Sequence, residues 1–286
     1  MNLILELLRL VGIIIYSYLE ACVKLVIPAK RKSVSGEIVL ITGAGHGIGR
    51  LTAYEFAKRQ SKLVLWDLNK HGVEETAEEC RNLGEIYSAA EKVKRDIGDV
   101  SILVNNAGVI ATADLLSTQD KQIQKTFEVN VLAHYWTTKA FLPAMMKKNH
   151  GHIVTVASAG GHLTVPFLVS YCSSKFAAVG FHKSLTQELS ALGKDGIKTT
   201  CLCPVFINTG FVKNPRSRLS PILEPDIVAK KLINGILCNQ NMIFIPSFVK
   251  FRLLLERILP ERALVALNKF TNVKFDAIVG SKRKEH

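Results

Sequence analysis

Short apolar runs alternate with longer amphipathic stretches over the central part of the chain. The runs Glu37–Thr42 and Lys62–Trp66 have the length and apolarity of buried strands, and Arg50–Arg59 between them has helical spacing. Further strand-like runs occupy Ser101–Asn105 and His152–Ala157, again separated by helical patterns. This alternation predicts an α/β fold around a parallel sheet.

A glycine string follows the first strand. It reads Gly43-Ala-Gly-His-Gly47-Ile-Gly49 and leads directly into the first amphipathic helix. Gly43 permits a tight turn, Gly47 lets the backbone approach a pyrophosphate, and Gly49 lets the helix pack on the strand. The N–H groups of the helix then face the phosphates. The order of strand, glycines and helix predicts a dinucleotide site in a Rossmann-like, doubly wound parallel sheet.

An acidic residue ends the second strand. Asp67 lies eighteen residues beyond Gly49, where a carboxylate accepts hydrogen bonds from a ribose diol. A 2′-phosphate at that place would meet a negative charge, so the sequence favours NAD over NADP. The nearby Lys70 and His71 leave NADP open as an alternative.

Three side chains suggest proton and hydride transfer. Tyr171 and Lys175 are four residues apart in a helical pattern, so they share a face of the helix. The ammonium group is expected to lower the pKa of the phenol towards working pH. Ser158 follows a strand and so lies at the edge of the sheet where open α/β folds bind ligands.

Two asparagine motifs complete the pattern. Asn105-Asn-Ala-Gly108 ends the third apolar run, and Asn130 interrupts a long helical stretch in which asparagine is a poor helix former. Together with the glycine string, Ser158 and Tyr171-x-x-x-Lys175, these motifs resemble the NAD-preferring members of the short-chain dehydrogenase/reductase family. The resemblance covers about Ser35 to Ser247 and is strongest to its 17-beta-hydroxysteroid dehydrogenases of membranes and lipid droplets.

The resemblance implies a role for each matching residue. Tyr171 would be the general acid/base, Ser158 would hydrogen-bond the substrate oxygen, Lys175 would lower the pKa of Tyr171 and bind the nicotinamide ribose, and Asn130 would hold a water of the proton relay. The implied NAD-binding residues are Gly43, Gly47, Ile48, Gly49, Asp67, Asn105, Ala107, Gly108, Tyr171, Lys175, Ile207 and Thr209.

One element of the family pattern has no counterpart. The helix-like stretches Gly72–Leu83 and Glu85–Ile97 follow each other without an apolar strand between them. Compared with its relatives, the chain is expected to lack about fourteen residues between Gly84 and Glu85. The edge strand of the 3-2-1-4-5-6-7 sheet would be deleted, and Lys62–Trp66 would become an exposed edge with an aggregation risk.

Composition limits the remaining possibilities. The net charge is +13, but the tail from Phe248 to His286 interleaves its nine basic residues with apolar ones at helical spacing. This pattern suits an anionic membrane surface or a lid over an apolar substrate better than it suits nucleic acid. The six cysteines have no metal-site spacing, so no metal is expected and the thiols are expected to be reduced.

The amino end favours membrane association. Residues 3–27 are mostly apolar, but the longest uncharged run, Leu10–Leu19, has only ten residues. An interfacial anchor is favoured, and a spanning anchor or a cleaved signal peptide followed by secretion stays open. We therefore expect an anchor over 1–32, an NAD-binding domain over 33–247 and a basic amphipathic tail over 248–286. The resemblance implies a cytoplasmic catalytic domain on the endoplasmic reticulum membrane and lipid droplets.

The function predicted from the sequence is hydride transfer between NAD and a hydrophobic secondary alcohol or ketone, such as a steroid, a retinoid or another lipid. An apolar segment after Ser158, together with Phe206 and Phe211, supports a hydrophobic substrate. A homodimer through the two long helices Gln122–Met146 and Tyr171–Leu192 is expected. The alternative is an inactive variant that keeps the anchor and the dimer surface.

Overall fold

The protein is described by a computed structural model that covers residues 3–27, 29–67, 69, 71, 86–87, 93 and 95–280. The chain divides into two compact units, Met1–Ser33 and Val34–His286. The second unit carries the sheet, the helices around it and the basic tail, so the tail is part of the same unit as the predicted NAD-binding domain.

The second unit is built on a fully parallel sheet. Its strands are β1 (Ile38–Thr42), β2 (Lys62–Trp66), β3 (Ile86–Tyr87), β4 (Ile102–Asn105), β5 (Gly151–Val156), β6 (Ile197–Pro204) and β7 (Met242–Ile245). Their order is β3-β2-β1-β4-β5-β6-β7. The order reverses between β1 and β4, and in open α/β sheets ligands bind at the carboxyl ends of the strands beside such a reversal.

Helices cover both faces of this sheet. They are α2 (Gly47–Ala57), α3 (Asp120–Phe127), α4 (Ala133–Lys148), α5 (Val169–Ala191) and α6 (Pro225–Leu237), with a π-helical turn at Glu128–Leu132 between α3 and α4. On one face, α2 and α6 pack through Phe56 and Leu232, and on the other face α4 and α5 pack through Phe141 and Leu185. Both faces are therefore covered, and the central strands β4 and β5 are buried along their whole length.

The edge of the sheet differs from the prediction. A two-residue strand, Ile86–Tyr87, pairs with Leu63 and Val64 of β2, so the edge strand is shortened rather than deleted. The prediction of a helix from Glu85 onwards is wrong at these two residues, although Val93, Arg95 and Asp96 are helical. Two residues carry no recognisable alternation, so tertiary pairing decides their conformation. The helix predicted over 72–83 lies outside the described residues.

The basic tail forms two helices, α7 (Val249–Ile258) and α8 (Glu261–Thr271). The segment after α8 is hydrogen-bonded to the body of the unit, because Arg216 and Lys274 pair through both of their backbone groups and Ala113 bridges to Ile278. The tail is thus hydrogen-bonded to the rest of the second unit.

The first unit contains helix α1 (Leu3–Val26). At 100° per residue, its four charged side chains, Glu6, Arg9, Glu20 and Lys24, fall within an arc of about 60°, and apolar residues occupy most of the remaining surface. Among the described residues, no helix has both the length and the apolarity needed to cross a membrane.

Candidate active site

A single large cavity opens at the carboxyl ends of the central strands. Its volume is about 970 Å³, which is at the upper end for small-molecule sites. The glycine string, the loop after β4, Ser158, Tyr171 and Lys175 all line it. Residues that are far apart in the sequence are therefore brought together as the strand-end argument predicts.

The glycine string forms a close-fitting cradle on one side of the cavity. Gly43 and Gly47 line the wall and have positive φ angles of 66° and 55°. A Cβ atom at Gly43 would lie 2.9 Å from the Cα of Ala107, and one at Gly49 would collide with the Gly43 carbonyl oxygen. Gly49 itself is not in the cavity wall, so its role is to let α2 pack against the loop. Ile48 and Thr209 also line the cavity.

Asp67 lies at the end of β2 and lines the cavity, as predicted. One carboxylate oxygen accepts the N–H of Gly45 at 2.9 Å, and the other accepts the N–H of Asn69 at 2.8 Å. These bonds fix the carboxylate beside the glycine cradle and leave each oxygen a further lone pair for a ribose hydroxyl.

The two consecutive asparagines at the end of β4, Asn105 and Asn106, differ in their position relative to the cavity. Asn105 points away from the cavity and accepts a hydrogen bond from Thr137 of α4 at 2.7 Å, because it is still part of the strand. Asn106, one residue further on, lines the cavity and donates to the carbonyls of Thr42 and Gly43. Asn105 does not line the cavity, so its assignment to the cofactor site stays a prediction, whereas Ala107 and Gly108 line the wall.

The sequence reasoning also missed Thr42. Its hydroxyl oxygen accepts the N–H groups of both Asn106 and Ala107 at 3.0 Å. These bonds hold the loop after β4 against the loop after β1. The strand order of the sheet reverses between these two strands. A threonine directly before the glycine string was the signal that could have indicated this contact.

Ser158 and Tyr171 meet inside the cavity. The Ser158 hydroxyl accepts the N–H of Gly160 at 3.0 Å and lies 3.4 Å from the carbonyl oxygen of Pro204. It is also hydrogen-bonded to the Tyr171 side chain. The ring of Tyr171 packs edge-on against Phe211 with centroids 6.1 Å apart. An alcohol or ketone oxygen near these hydroxyls would have two hydrogen-bonding partners.

Lys175 stands beside Tyr171, but it does not lower the pKa of the phenol. Its Nζ is 5.8 Å from the centre of the tyrosine ring and donates to the Val156 carbonyl at 2.9 Å. Burial raises the pKa of Tyr171 to about 12, although the Ser158 hydrogen bond acts in the opposite direction. The predicted lowering by Lys175 is wrong in this structure, since the ammonium is directed at β5 and desolvation dominates.

Lys175 is itself affected by desolvation. Burial lowers the pKa of its ammonium group to about 8, with an opposing effect of the Cys201 and Cys203 thiols. The ammonium group of Lys175 therefore loses its proton more readily near neutral pH than the ammonium group of an exposed lysine does. Such a perturbed pair at a cavity is typical of acid/base sites.

Asn130 lies in the π-helical turn and is completely buried. Its side-chain oxygen accepts the Val109 N–H at 2.8 Å, and its nitrogen donates to the Val109 carbonyl and to Ser174 at 2.9 Å each. Ser174 in turn donates to the Tyr171 carbonyl at 2.7 Å. The side chain thus clamps the loop after β4 to the catalytic helix, and its predicted hold on a water molecule stays a prediction.

The far wall of the cavity comes from the tail. Val249 and Arg252 of α7 and Val265 and Asn268 of α8 line it, as does Lys269. Sequence reasoning had left a membrane surface and a lid as alternatives for this segment. The tail lines the cavity, and its role as a lid stays a prediction. Ile207, predicted to contact the nicotinamide, lines the same cavity.

Comparison with known proteins gives a consistent result. A family model described as short chain dehydrogenase matches residues 37–220. Estradiol 17-beta-dehydrogenase 11 of Macaca fascicularis is 65% identical over 298 residues, which cover 99% of each chain. The 17-beta-hydroxysteroid dehydrogenase 13 of Rattus norvegicus is 62% identical over 298 residues, again covering 99% of each chain. These alignments are longer than the 286 residues of the chain, which is consistent with the predicted loss of a short segment.

A solved structure supports the same assignment. A short chain dehydrogenase/reductase of Burkholderia phymatum in complex with NAD superposes with a TM-score of 0.71 at 25% identity, over 79% of this chain and 96% of that one. The fold, the site geometry and the sequence matches agree with one another. The chain belongs to the short chain dehydrogenase family.

Proposed function

We propose that this chain transfers a hydride between NAD and a secondary hydroxyl or keto group of a hydrophobic lipid such as a steroid or a retinoid. The observation that carries the proposal is the convergence of Ser158, Tyr171 and Lys175 on a cavity whose other wall is the glycine cradle. Family relatives whose names specify estradiol and 17-beta-hydroxysteroids support a steroid-like substrate.

The cavity fits the cofactor. Gly43 and Gly47 leave space that a side chain would fill, and Asp67 presents a fixed carboxylate to a ribose diol. A 2′-phosphate would meet this negative charge, which supports NAD over NADP. When bound, NAD supplies the nicotinamide ring that accepts or returns the hydride. Lys175 would hold the adjacent ribose, and Ile207 and Thr209 would contact the nicotinamide end.

The residues of the chain would supply the proton transfer. With its pKa near 12, Tyr171 is a neutral phenol at neutral pH and can donate its proton to a ketone oxygen. Ser158 would hydrogen-bond the same oxygen and keep it within reach of the phenol. In the oxidative direction Tyr171 must accept a proton, so we expect oxidation to accelerate as the pH rises.

The lining beyond the catalytic residues supports an apolar substrate. Leu163, Val165, Leu168, Phe206 and Phe211 line the cavity, and the ring of Phe211 packs against that of Tyr171. Burying such a surface against a lipid skeleton contributes about 25 cal/mol for each Å² removed from water. The skeleton would therefore provide most of the affinity, and the two hydroxyl groups would provide the orientation.

We also propose that α1 binds the surface of the endoplasmic reticulum membrane or a lipid droplet. Its apolar side chains are exposed, and its charges form one narrow stripe, which suits a helix lying in the interface. The basic residues Lys30, Arg31 and Lys32 that follow would favour an anionic, cytoplasmic surface.

Truncation tests the anchor. A chain beginning at Ser33 should leave the membrane fraction on flotation, because the apolar face of α1 is lost. Lys30→Ser/Arg31→Ser in the full chain serves as the matched control and should weaken membrane binding only partly. A truncated chain that floats like the full one would contradict the proposal, and a secreted product beginning near Cys22 would establish a cleaved signal instead.

A homodimer is proposed for the exposed side of α4 and α5. Tyr135, Trp136 and Phe176 are large apolar side chains that are 45%, 61% and 44% exposed there. A second copy would bury this patch by symmetric packing of the same helices. Sedimentation analysis of the purified chain should therefore give a dimer, and Trp136→Glu should give a monomer. A monomeric parent chain would contradict the proposal.

The second candidate function is an inactive, membrane-bound variant. It is favoured by one observation, namely that among the described residues the edge strand next to the expected adenine side consists of Ile86 and Tyr87. Calorimetry with NAD on the purified full chain separates the two candidates. Binding in the micromolar range with turnover of a hydrophobic alcohol supports the enzyme, and absence of NAD binding supports the inactive variant.

A further inference from the structure

A layer of buried polar side chains lies between the sheet and α4. Asn105 of β4 and Thr155 of β5 are register partners, and they share the face of the sheet with Leu103, which packs in the core beneath α4. His134 and Thr138, four residues apart, lie on the face of α4 that is buried in the same region. We call Asn105, His134, Thr138 and Thr155 the polar layer, and none of them is more than 4% exposed.

Five polar atoms of this layer have no hydrogen-bond partner in the part of the chain that the structure describes. They are Asn105 Nδ2, Thr138 Oγ1, Thr155 Oγ1 and both ring nitrogens of His134. Buried polar atoms in folded proteins nearly always have a partner, either in the protein or in ordered water, because a buried atom without one is destabilising. Their concentration in one layer points to a small polar ligand.

Water is the ligand that fits this set of atoms. The amide nitrogen of Asn105 donates, the two threonine hydroxyls can donate or accept, and a neutral imidazole has one donor and one acceptor nitrogen. Burial lowers the pKa of His134 to about 3, so its ring is neutral at neutral pH. A metal ion could not accept from the amide, and a fully ionised anion could not donate to the imidazole, whereas water does both.

The polar layer lies next to Lys175. The Nζ of Lys175 donates to the carbonyl of Val156, the residue that follows Thr155 in β5. The positive charge of Lys175 acts in the same direction as burial on the pKa of His134, so these two groups are near each other. Lys175 is only 3% exposed, and burial lowers the pKa of its ammonium group to about 8. Ordered water beside a buried ammonium group favours its charged form.

We propose that the polar layer binds ordered water, organised by His134, and that this water hydrates the ammonium group of Lys175 from the interior of the protein. The catalytic consequence rests on the function proposed above, in which the charged Lys175 holds the nicotinamide ribose. His134 is then a positioning residue, because it acts on Lys175 through water. Among the described residues, the other titratable groups that face the ammonium are Tyr171 on the same helix and the Cys201 and Cys203 thiols of β6.

Two measurements test the water site independently of activity. A crystal structure of the full-length chain should show ordered water within about 3.2 Å of at least two of the five atoms. Thr155→Val keeps the shape of the side chain and removes its hydroxyl. This variant should have a lower thermal midpoint if the hydroxyl binds water, and a higher one if the hydroxyl is unpaired. A higher midpoint, or direct bonds between the side chains of the layer in place of water, would overturn the site.

The pH dependence of ketone reduction tests the effect on Lys175. The rate should fall as the pH rises through the pKa of Lys175, because the ammonium group loses its charge. In His134→Leu this fall should occur about one pH unit lower, which is about tenfold in the rate at a pH above both values. His134→Gln can still donate and accept, so it should restore the parent profile. If His134→Leu does not fold, Thr155→Val should shift the profile in the same direction by a smaller amount.

The outcomes separate the parts of the proposal. Bound water together with the same pH profile in His134→Leu and the parent would overturn the role of the layer in hydrating Lys175. Equal shifts in His134→Leu and His134→Gln would overturn the role of His134 in organising the water. A parent chain without any ketone reduction would refute the proposed function, and the crystal structure and the thermal midpoints would still decide the water site.

Discussion

At the scale of single residues, the site depends on a chain of hydrogen bonds behind the reacting groups. The backbone of Val109 holds Asn130, Asn130 donates to Ser174, and Ser174 donates to the carbonyl of Tyr171. The bond between Asn130 and Ser174 is buried and the other two are partly buried. An unsatisfied polar group at a buried position costs about 1–3 kcal/mol. Ser174 is therefore a positioning residue that couples the loop after β4 to the catalytic helix.

Replacing Ser174 by Ala should lower kcat and leave the KM for NAD nearly unchanged. The substitution removes the acceptor of Asn130 Nδ2 and frees the Tyr171 carbonyl, and a loss of about 1–3 kcal/mol in positioning corresponds to roughly 5- to 150-fold in rate. Steady-state kinetics provide the measurement. Ser173→Ala, at the exposed neighbouring position, is the control. Equal rates for the two variants would refute the positioning role.

The sequence indicated the catalytic residues because their positions follow from local rules. Ser158 ends a strand, and Tyr171 and Lys175 share a helical face, so both placements could be derived before the fold was known. Asn106 lines the cavity and Asn105 does not, because successive side chains of a strand point in opposite directions and the exact end of the strand could not be derived from the sequence. The pKa of Tyr171 could not be derived from spacing, since it depends on burial by residues from several elements.

At the scale of elements, the edge of the sheet is the unusual feature. β3 pairs only with Leu63 and Val64, so Leu65 and Trp66 of β2 have no ladder partner on that side among the described residues. The relatives are longer than this chain, and we place the missing segment between Gly84 and Glu85. Leu63, Val64 and Leu65 of β2 nevertheless stay buried. The expected consequence of a short edge is therefore a reduced wall beside the adenine.

Restoring the segment should strengthen cofactor binding. Inserting the corresponding residues of the Macaca fascicularis relative between Gly84 and Glu85 should lower the Kd for NAD on the order of 30- to 150-fold if about 2–3 kcal/mol of adenine contacts return. The thermal midpoint should rise as well. Calorimetry and thermal unfolding of the two chains, purified in parallel, test the effect. Equal affinities and midpoints would show that residues near the short β3 rebuild the site.

The helices of the tail could be predicted from the sequence, but their position in the cavity wall could not. Its helical spacing was visible in the sequence, but a basic amphipathic helix suits a membrane as well as a protein surface. The pairing of Arg216 with Lys274 attaches it to the catalytic unit and makes it a cavity wall. This contact spans about sixty residues of sequence, and no local pattern encodes it.

At the scale of the whole second unit, two buried histidines and one half-buried histidine make stability depend on pH. Burial lowers the pKa of His134 to about 3, with a further effect of the Lys175 charge, and burial also lowers the pKa of His162 and His182. Below pH 6.5 the unfolded chain binds protons that the folded chain does not. The contribution of the uncharged histidines to stability is therefore fully present above pH 6.5 and is lost as the pH falls towards 3.

Between pH 7.5 and pH 5.0, His134 alone should account for a loss of about 2 kcal/mol in the free energy of unfolding. This corresponds to roughly 4–8 °C in the thermal midpoint of a unit of this size. His134→Gln should reduce the dependence by that amount, while His71→Gln, at an exposed position, should not change it. Thermal unfolding at the two pH values gives the comparison, and parallel curves for His134→Gln and the parent would contradict the assignment.

The central claim is that Tyr171 transfers the proton in an NAD-linked reaction of this chain. Its most direct test is the formation of NADH from a hydrophobic secondary alcohol by the parent chain and by Tyr171→Phe, with NADP as the comparison cofactor. We predict turnover with NAD, slower turnover with NADP, and a loss of roughly 10²- to 10⁴-fold in Tyr171→Phe at unchanged NAD affinity. A Tyr171→Phe chain as active as its parent, or a parent chain without any turnover, would contradict the account.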